Sequence, residues 1–314
     1  MSRWRRQAGP KKAGRPPHSQ QVLDEARPRI LAVLQTIGFK AGWPTVKVHL
    51  QDVPTRVIYT LLKVLKAEHR AECARQAREN AVHVDVLAQG ALLAQDSTHT
   101  GNCRGRKAWA EVLKDAATTE AWAFGNGKPI TGDAMIEYLK ALKTKGRLPL
   151  VLATDNGSAY KEHRVMEWLA KNQVIQLFSR PRTPQDNARA ERGIGEGKGL
   201  SGLGKGVLLE NPLLGVEILD EALQRLNQYW PRRTKSSLTA AQLKVVLPHW
   251  QSTVSRSEFY EAACSAIRAI KADNKRALRK ETRETIFRTL EQFGLILRTR
   301  GERKSGYVKP DRIS

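Results

Sequence analysis

The chain has 314 residues, 40% of them apolar, with 54 Lys and Arg against 31 Asp and Glu for a formal net charge of +23. The length suits two or three domains with sizeable cores, and no apolar run reaches the eighteen or so residues of a membrane span. The positive excess predicts a polyanionic partner, nucleic acid before any other, and no basic helix with a wide apolar face argues for a membrane surface instead.

Residues 1 to about 17 hold Arg3, Arg5, Arg6, Lys11, Lys12 and Arg15 among Gly and Pro, with no acid. That composition predicts a disordered basic arm, and the missing apolar segment argues against a secretory signal. Cys73, Cys103 and Cys264 are scattered. Their spacing supports neither a disulfide framework nor a cysteine zinc site, and it suits a reducing cytosol.

Residues 18–70 read as three helices. The first spans roughly Gln21 to Thr36, with Ile30, Leu31, Val33 and Leu34 on its apolar side and Gly38 as a stop. The second opens at Pro44 and the third at Pro54, both suited to a first turn. Two helices joined at Gln51-Asp52-Val53 predict a helix-turn-helix, with Thr55, Arg56, Tyr59 and Lys63 placed to meet DNA. A generic three-helix packing unit is the plain alternative. Residues 71–87 read as a polar helical linker.

The pattern then changes. ALLAQDST, AWAEVLKDAATT and EAWAFGN read as three strands in an antiparallel meander. Thr131 caps a helix whose apolar positions are Ala134, Ile136, Leu139 and Leu142. LPLVLATD is a strand, HRVMEWLAKN a helix and VIQLFS a short strand. A Pro-rich loop, RPRTPQDN, then leads into the helix ARAERGIGEGKG. This order makes residues 88–250 an α/β layer on a mixed sheet. ILDEALQRLNQYW follows as an amphipathic helix. Residues 251–314 form a basic, largely helical C-terminal region that ends in a strand and hairpin, LILRTRGERKSGYVK. It reads equally as a winged DNA-contacting element or as a solvated appendage.

Three acids hold telling positions. Asp96 closes one predicted strand, Asp155 closes another, and Glu191 lies in the helix after RPRTPQDN. Adjacent strands would set Asp96 beside Asp155, and a helix on the sheet would bring Glu191. Three converging carboxylates repel unless cations sit between them, and oxygen ligands favour Mg2+ or Mn2+. Phosphodiester cleavage needs charge stabilisation on the attacking and leaving oxygens, which two such ions supply. Asp115 and Asp85 are weaker rivals for the first acid, and Glu196 is a rival for the third. His99 reads as a surface-loop residue.

The motifs QDST around Asp96, TDNGSAY around Asp155 and PRTPQDNARAERG around Glu191 resemble the catalytic core of DDE transposases and retroviral integrases. Fifty-eight residues separate the first two acids and thirty-five the last two, in keeping with that family. LNQYWPRRTKSSLTAAQ resembles its closing segment. The resemblance covers about half the chain, from Leu92 to about Gln242.

It implies an RNase H-like mixed sheet with flanking helices and metal-dependent DNA strand cleavage and strand transfer. It also implies two Mg2+ (or Mn2+) ions, with Asp96 bridging both, Asp155 completing one site and Glu191 the other. Double-stranded DNA would be the partner, bound by a homo-oligomer in the bacterial cytoplasm at the nucleoid. Asn156, Gln185, Asn187, Arg189, Arg192 and Lys198 are the candidate DNA contacts around the acids. The absence of paired His and Cys in the N-terminal region points to the insertion-sequence branch. One departure is the run of glycines at 193, 195, 197, 199, 202, 204 and 206. Glycine weakens helices, so the Glu191 helix is expected to be short or frayed until substrate binds. A non-catalytic DNA-binding regulator and a structure-specific nuclease are the alternative readings.

Overall fold

The computed structural model describes residues 18–181 and 183–301. The expected basic arm and the end of the expected C-terminal hairpin lie outside them. The chain divides into two compact units, 1–81 and 82–314.

The first unit contains α1 (Gln20–Ile37), α2 (Trp43–His49) and α3 (Thr55–Glu79). Val57, Ile58, Leu61, Leu62 and Leu65 recur at helical spacing along α3 and pack on Ile30 and Leu34 of α1 and Val46 of α2. Each such burial contributes about 1.5–3 kcal/mol, so this small core holds the unit together. Arg27 pairs with Glu68 and Arg29 with Asp52 at its rim; exposed pairs of this kind add little. Thr55, Arg56, Tyr59 and Lys63 are all exposed on α3.

The separate linker helix expected at 71–87 does not form. No Gly or Pro interrupts residues 55–79, and Arg75 pairs with Glu72 and Glu79 one turn away on either side. The third helix therefore runs unbroken to Glu79. Val82–Val86 is a strand, β1.

In the second unit, β2 (Leu92–Cys103), β3 (Arg106–Asp115) and β4 (Ala121–Phe124) form an antiparallel meander. Arg104 and Gly105 turn the β2–β3 hairpin with φ of 48° and 76°, the paired positive φ of a tight two-residue turn. Then come α4 (Gly132–Thr144), β5 (Val151–Thr154), α5 (His163–Lys171), β6 (Ile175–Phe178), α6 (Ala188–Ser201) and α7 (Pro212–Tyr229). The strand order is β4-β3-β2-β5-β6, with β5 parallel to β2 and β6 parallel to β5. This is the mixed α/β sheet the sequence predicts.

Residues from α4 and α5 cover one face through Met135, Leu139 and Leu169, against Leu93, Leu113 and Leu152. Leu219 and Leu223 of α7 cover the other, against Ala108, Ala110 and Val112.

The described part of the C-terminal region is not a solvated appendage. After α8 (Ala240–Val246), it contains α9 (Arg256–Arg268), α10 (Lys275–Gln292) and β7 (Ile296–Arg300). Phe259, Ile286, Leu290 and Ile296 share one buried core with Leu92, Val151 and Ile175 of the sheet strands. Strand β7 pairs antiparallel with β1, from Val86–Ile296 to Val82–Arg300. That ladder satisfies the backbone groups along one edge of β7. Arg256 stacks on Trp250 and donates to the carbonyls of Leu148 and Pro149 at 2.7 and 2.8 Å, fixing the start of α9 against the sheet.

Candidate active site

The parallel β2–β5 ladder ends at the pair Ala94–Ala153. Asp96 and Asp155 each lie two residues beyond it, so the register sets them side by side: Asp96 within β2 rather than closing it as expected, because the strand runs on to pair with β3, and Asp155 just past the end of β5. Asp96 pairs with Val112 across the β2–β3 ladder and shares its face, the face α7 covers. Glu191 sits in the first turn of α6, the helix whose Gly193 meets the Lys114 side chain of β3.

Burial pushes the Asp96 carboxyl up to about 7, with the Asp155 charge as the next cause. The backbone N–H of Ser97, 2.9 Å from Asp96 Oδ1, opposes the rise, while Glu111 and Glu191 add to it. Asp96 thus feels the fields of both other predicted acids. Asp155 Oδ1 accepts from the Gly157 N–H at 2.8 Å, and Asn156 Nδ2 donates to the Ser179 carbonyl at 2.6 Å. These two bonds hold the turn that ends β5. Among the described residues, no group of three or more His, Cys, Asp or Glu side chains is placed to hold a metal ion.

The helix carrying Glu191 is fourteen residues long, not short. Its glycines divide by face. An added Cβ at Gly197 would stand 2.9 Å from methyls of Leu219 and Leu223, and one at Gly193 would stand 3.1 Å from Lys114 Cδ. Gly195 and Gly199 face open space. Close packing at 193 and 197 offsets the propensity cost, and Gly202 in the left-handed conformation caps the end.

The rival acids are otherwise engaged. Asp115 is buried and accepts from the N–H groups of Gly90, Ala117 and Thr118. Burial raises its pKa to about 6 against those three bonds. Asp115→Ala would strand three donors and is expected to cost about 2–4 kcal/mol, read as a loss of thermal stability. Glu196 pairs with Lys114 at 3.3 Å and Arg232 at 2.7 Å. Asp85 lies 3.7 Å from Lys235. His99 belongs to β2 rather than to a surface loop, since the strand continues past it through a register shift.

Among the predicted DNA contacts, Gln185 and Arg192 are exposed and Lys198 is half-buried. Asn187 turns inward: it is 4% exposed and donates to the Gln95 carbonyl at 3.1 Å, tying the start of α6 to β2. Arg189 donates to the Val84 carbonyl at 3.0 Å.

Sequence reasoning missed Glu111. It is 2% exposed on β3 and accepts from Ser97 Oγ, from the Tyr160 hydroxyl and, at 3.1 Å, from Gln95 Nε2. The network lies on the opposite face of β2 from Asp96. It fixes the two residues that flank Asp96 in the chain. An acid inside the apolar strand AWAEVL is the signal that marks it, because a lone buried carboxylate is costly without partners.

No protein-family model matches the chain, and no curated protein matches it. Solved structures similar to it include the HTLV-2 integrase catalytic core domain in complex with magnesium, in a dimeric form. That protein is 20% identical over 50% of this chain and 97% of its own, with a TM-score of 0.37. The BIV integrase catalytic core domain is 18% identical over 50% of this chain and 94% of its own, with a TM-score of 0.38. The simian T-cell lymphotropic virus intasome in complex with the PP2A regulatory subunit B56 gamma is 16% identical over 68% and 73%, with a TM-score of 0.41. Among the described residues, no helix is long and apolar enough to cross a membrane.

Proposed function

We propose that the chain is a DNA strand-transfer enzyme of the insertion-sequence transposase kind. It would hydrolyse a phosphodiester and then join the freed 3′-hydroxyl to a second strand. The observation that carries this reading is the pair Asp96 and Asp155 at matched positions past the β2–β5 ladder, with the Glu191 charge also felt at Asp96. An all-oxygen donor set suits Mg2+ or Mn2+, and Asp96, Asp155 and Glu191 would hold the ions. When bound, two such ions supply charge neutralisation on the attacking and leaving oxygens.

The residues around the acids have positioning roles. The Gly157 N–H and the Ser179 carbonyl hold the Asp155 turn, and Ser97, Gln95 and Tyr160 hold β2 through Glu111. Exposed Gln185 and Arg192, with Lys198, would meet substrate phosphates beside Glu191. Arg56, Tyr59 and Lys63 on α3 would contact the element ends, and the working form would be a homo-oligomer on double-stranded DNA. The test is a strand-transfer assay with Mg2+ on a substrate carrying the element's terminal repeats. Wild-type protein should give joined product and EDTA should abolish it.

The second reading is a non-catalytic DNA-binding regulator that keeps the fold. The glycine-rich run from Gly193 to Gly206, which departs from the catalytic family's pattern, is the feature that favours it. On that reading the protein binds the repeats yet yields no product under any divalent cation.

Asp96→Asn separates charge from fold. Neutralising a carboxyl that is buried and also crowded by like charge should stabilise the metal-free protein by about 1 kcal/mol after solvent screening, or roughly 2–4 °C in melting temperature. A melting temperature in EDTA that does not rise would show that neither burial nor repulsion penalises the Asp96 charge. The Mg2+-induced stabilisation of wild type should vanish in this variant.

A further inference from the structure

The second unit contains a cleft of about 1290 Å³ between α6, α10, β1 and the 230–237 turn, and none of the three acids lines it. Eleven cationic side chains line it against five acidic ones. Several of these cations are buried: Lys114 is 4% exposed, Lys235 6% and Arg232 9%.

For Lys114, Arg232 and Arg283 the partners are too few. Lys114 and Arg232 share the single carboxylate of Glu196. Arg283 reaches Asp186, at 3.4 Å, which Arg180 already engages at 2.9 Å. After these pairs, Nε of Arg232 and Nη1 of Arg283 remain buried donors without a hydrogen-bond partner. An unsatisfied guanidinium N–H is costly, and two in one cleft call for an acceptor from outside. Arg192, Arg233 and Lys280 extend the positive lining to the exposed rim.

We infer that this cleft is a phosphodiester-backbone site that seats a nucleic-acid strand along α6, α10 and the 230–237 turn. Planar guanidinium groups match phosphate oxygens in geometry as well as charge. The cleft is far larger than one phosphate needs, and its cations come from β3, α6, the 230–237 turn, α10 and β7, as a continuous backbone requires. The choice of DNA as the strand rests on the proposed function; the cations and their unpaired donors do not.

The test uses the full chain, a short labelled duplex of arbitrary sequence, and EDTA to prevent turnover. Amide hydrogen exchange should show protection of 230–237 and 280–288 on adding duplex. Arg233→Gln combined with Lys280→Gln changes only exposed residues, so folding is preserved. It should weaken binding about 10-fold on any sequence and lower the salt dependence by roughly one to two charges. Arg283→Gln should weaken binding as well, with partial recovery in Arg283→Lys.

Wild-type affinity and salt slope in the double variant, with no protection of either segment, would overturn the inference. So would stabilisation by inorganic phosphate at the cleft while duplex leaves both segments unprotected. Asp155→Asn provides the control: if it binds duplex normally and protects both segments yet yields no product, the cleft stands and only the acids are in question. Should wild type protect both segments and prove catalytically inert, the cleft stands and the enzyme reading falls.

Discussion

Asp155→Asn is expected to lower strand cleavage and transfer by roughly 10³-fold or more, equivalent to about 4 kcal/mol of transition-state stabilisation. Duplex binding in EDTA should be unchanged. The substitution is close to isosteric, and the Asn side-chain oxygen can still accept the Gly157 N–H that Asp155 Oδ1 accepts at 2.8 Å. The turn at the end of β5 is therefore preserved while the charge is lost. Glu191→Gln should behave alike, because Glu191 is exposed in the first turn of α6 and removing its charge leaves the helix intact. A variant that joins strands at the wild-type rate would remove Asp155 from the chemistry. Wild-type protein that binds the element ends but never cuts would establish the regulator reading.

The second large effect is expected along α6, with opposite signs on its two faces. Gly197→Leu should destabilise by about 1–3 kcal/mol or more, because overpacking a filled interface forces side chains and backbone to shift. The site is closed by Leu219 and Leu223, both almost fully buried, and even a single Cβ there would meet them at 2.9 Å. The displaced helix carries Glu191, so activity should fall further than stability explains. Gly195→Ala and Gly199→Ala point to open space, and each should stabilise by about 0.5–1 kcal/mol through helix propensity alone. Thermal melts of the three variants decide the matter. Destabilisation by alanine at 195 or 199 would mean that those positions carry a contact beyond the helix's own neighbourhood.

Both expectations show why the glycine run misleads when read locally. Propensity counts each glycine as a loss, but at 193 and 197 the missing Cβ lets α6 lie close against β3 and α7. Tertiary packing outweighs the local term, and the fourteen-residue helix is the result. The C-terminal region follows the same rule. Its helices look solvated and basic in the sequence, yet Phe259, Ile286 and Leu290 complete the core over Leu92, Val151 and Ile175.

The amino-acid sequence by itself determined the succession of strands and helices from β2 to α7 and the placement of Asp155 at a strand's end, while Asp96 proved to lie within β2. Strand alternation, helix spacing, capping residues and turn glycines act over a few residues, so their signal survives without the fold. Asp155 stands out for the same reason, as it ends an apolar run that local energetics alone would not close with a carboxylate. Only the tertiary structure decided that Glu111 joins Gln95, Ser97 and Tyr160, that Asn187 faces inward, that β7 completes a sheet with β1, and that Arg232 and Arg283 share one cleft. Each of these depends on which surfaces meet across long stretches of chain. The free energy that selects such meetings comes from burying apolar area and pairing buried polar groups, and it is spread over many residues rather than written in any one segment.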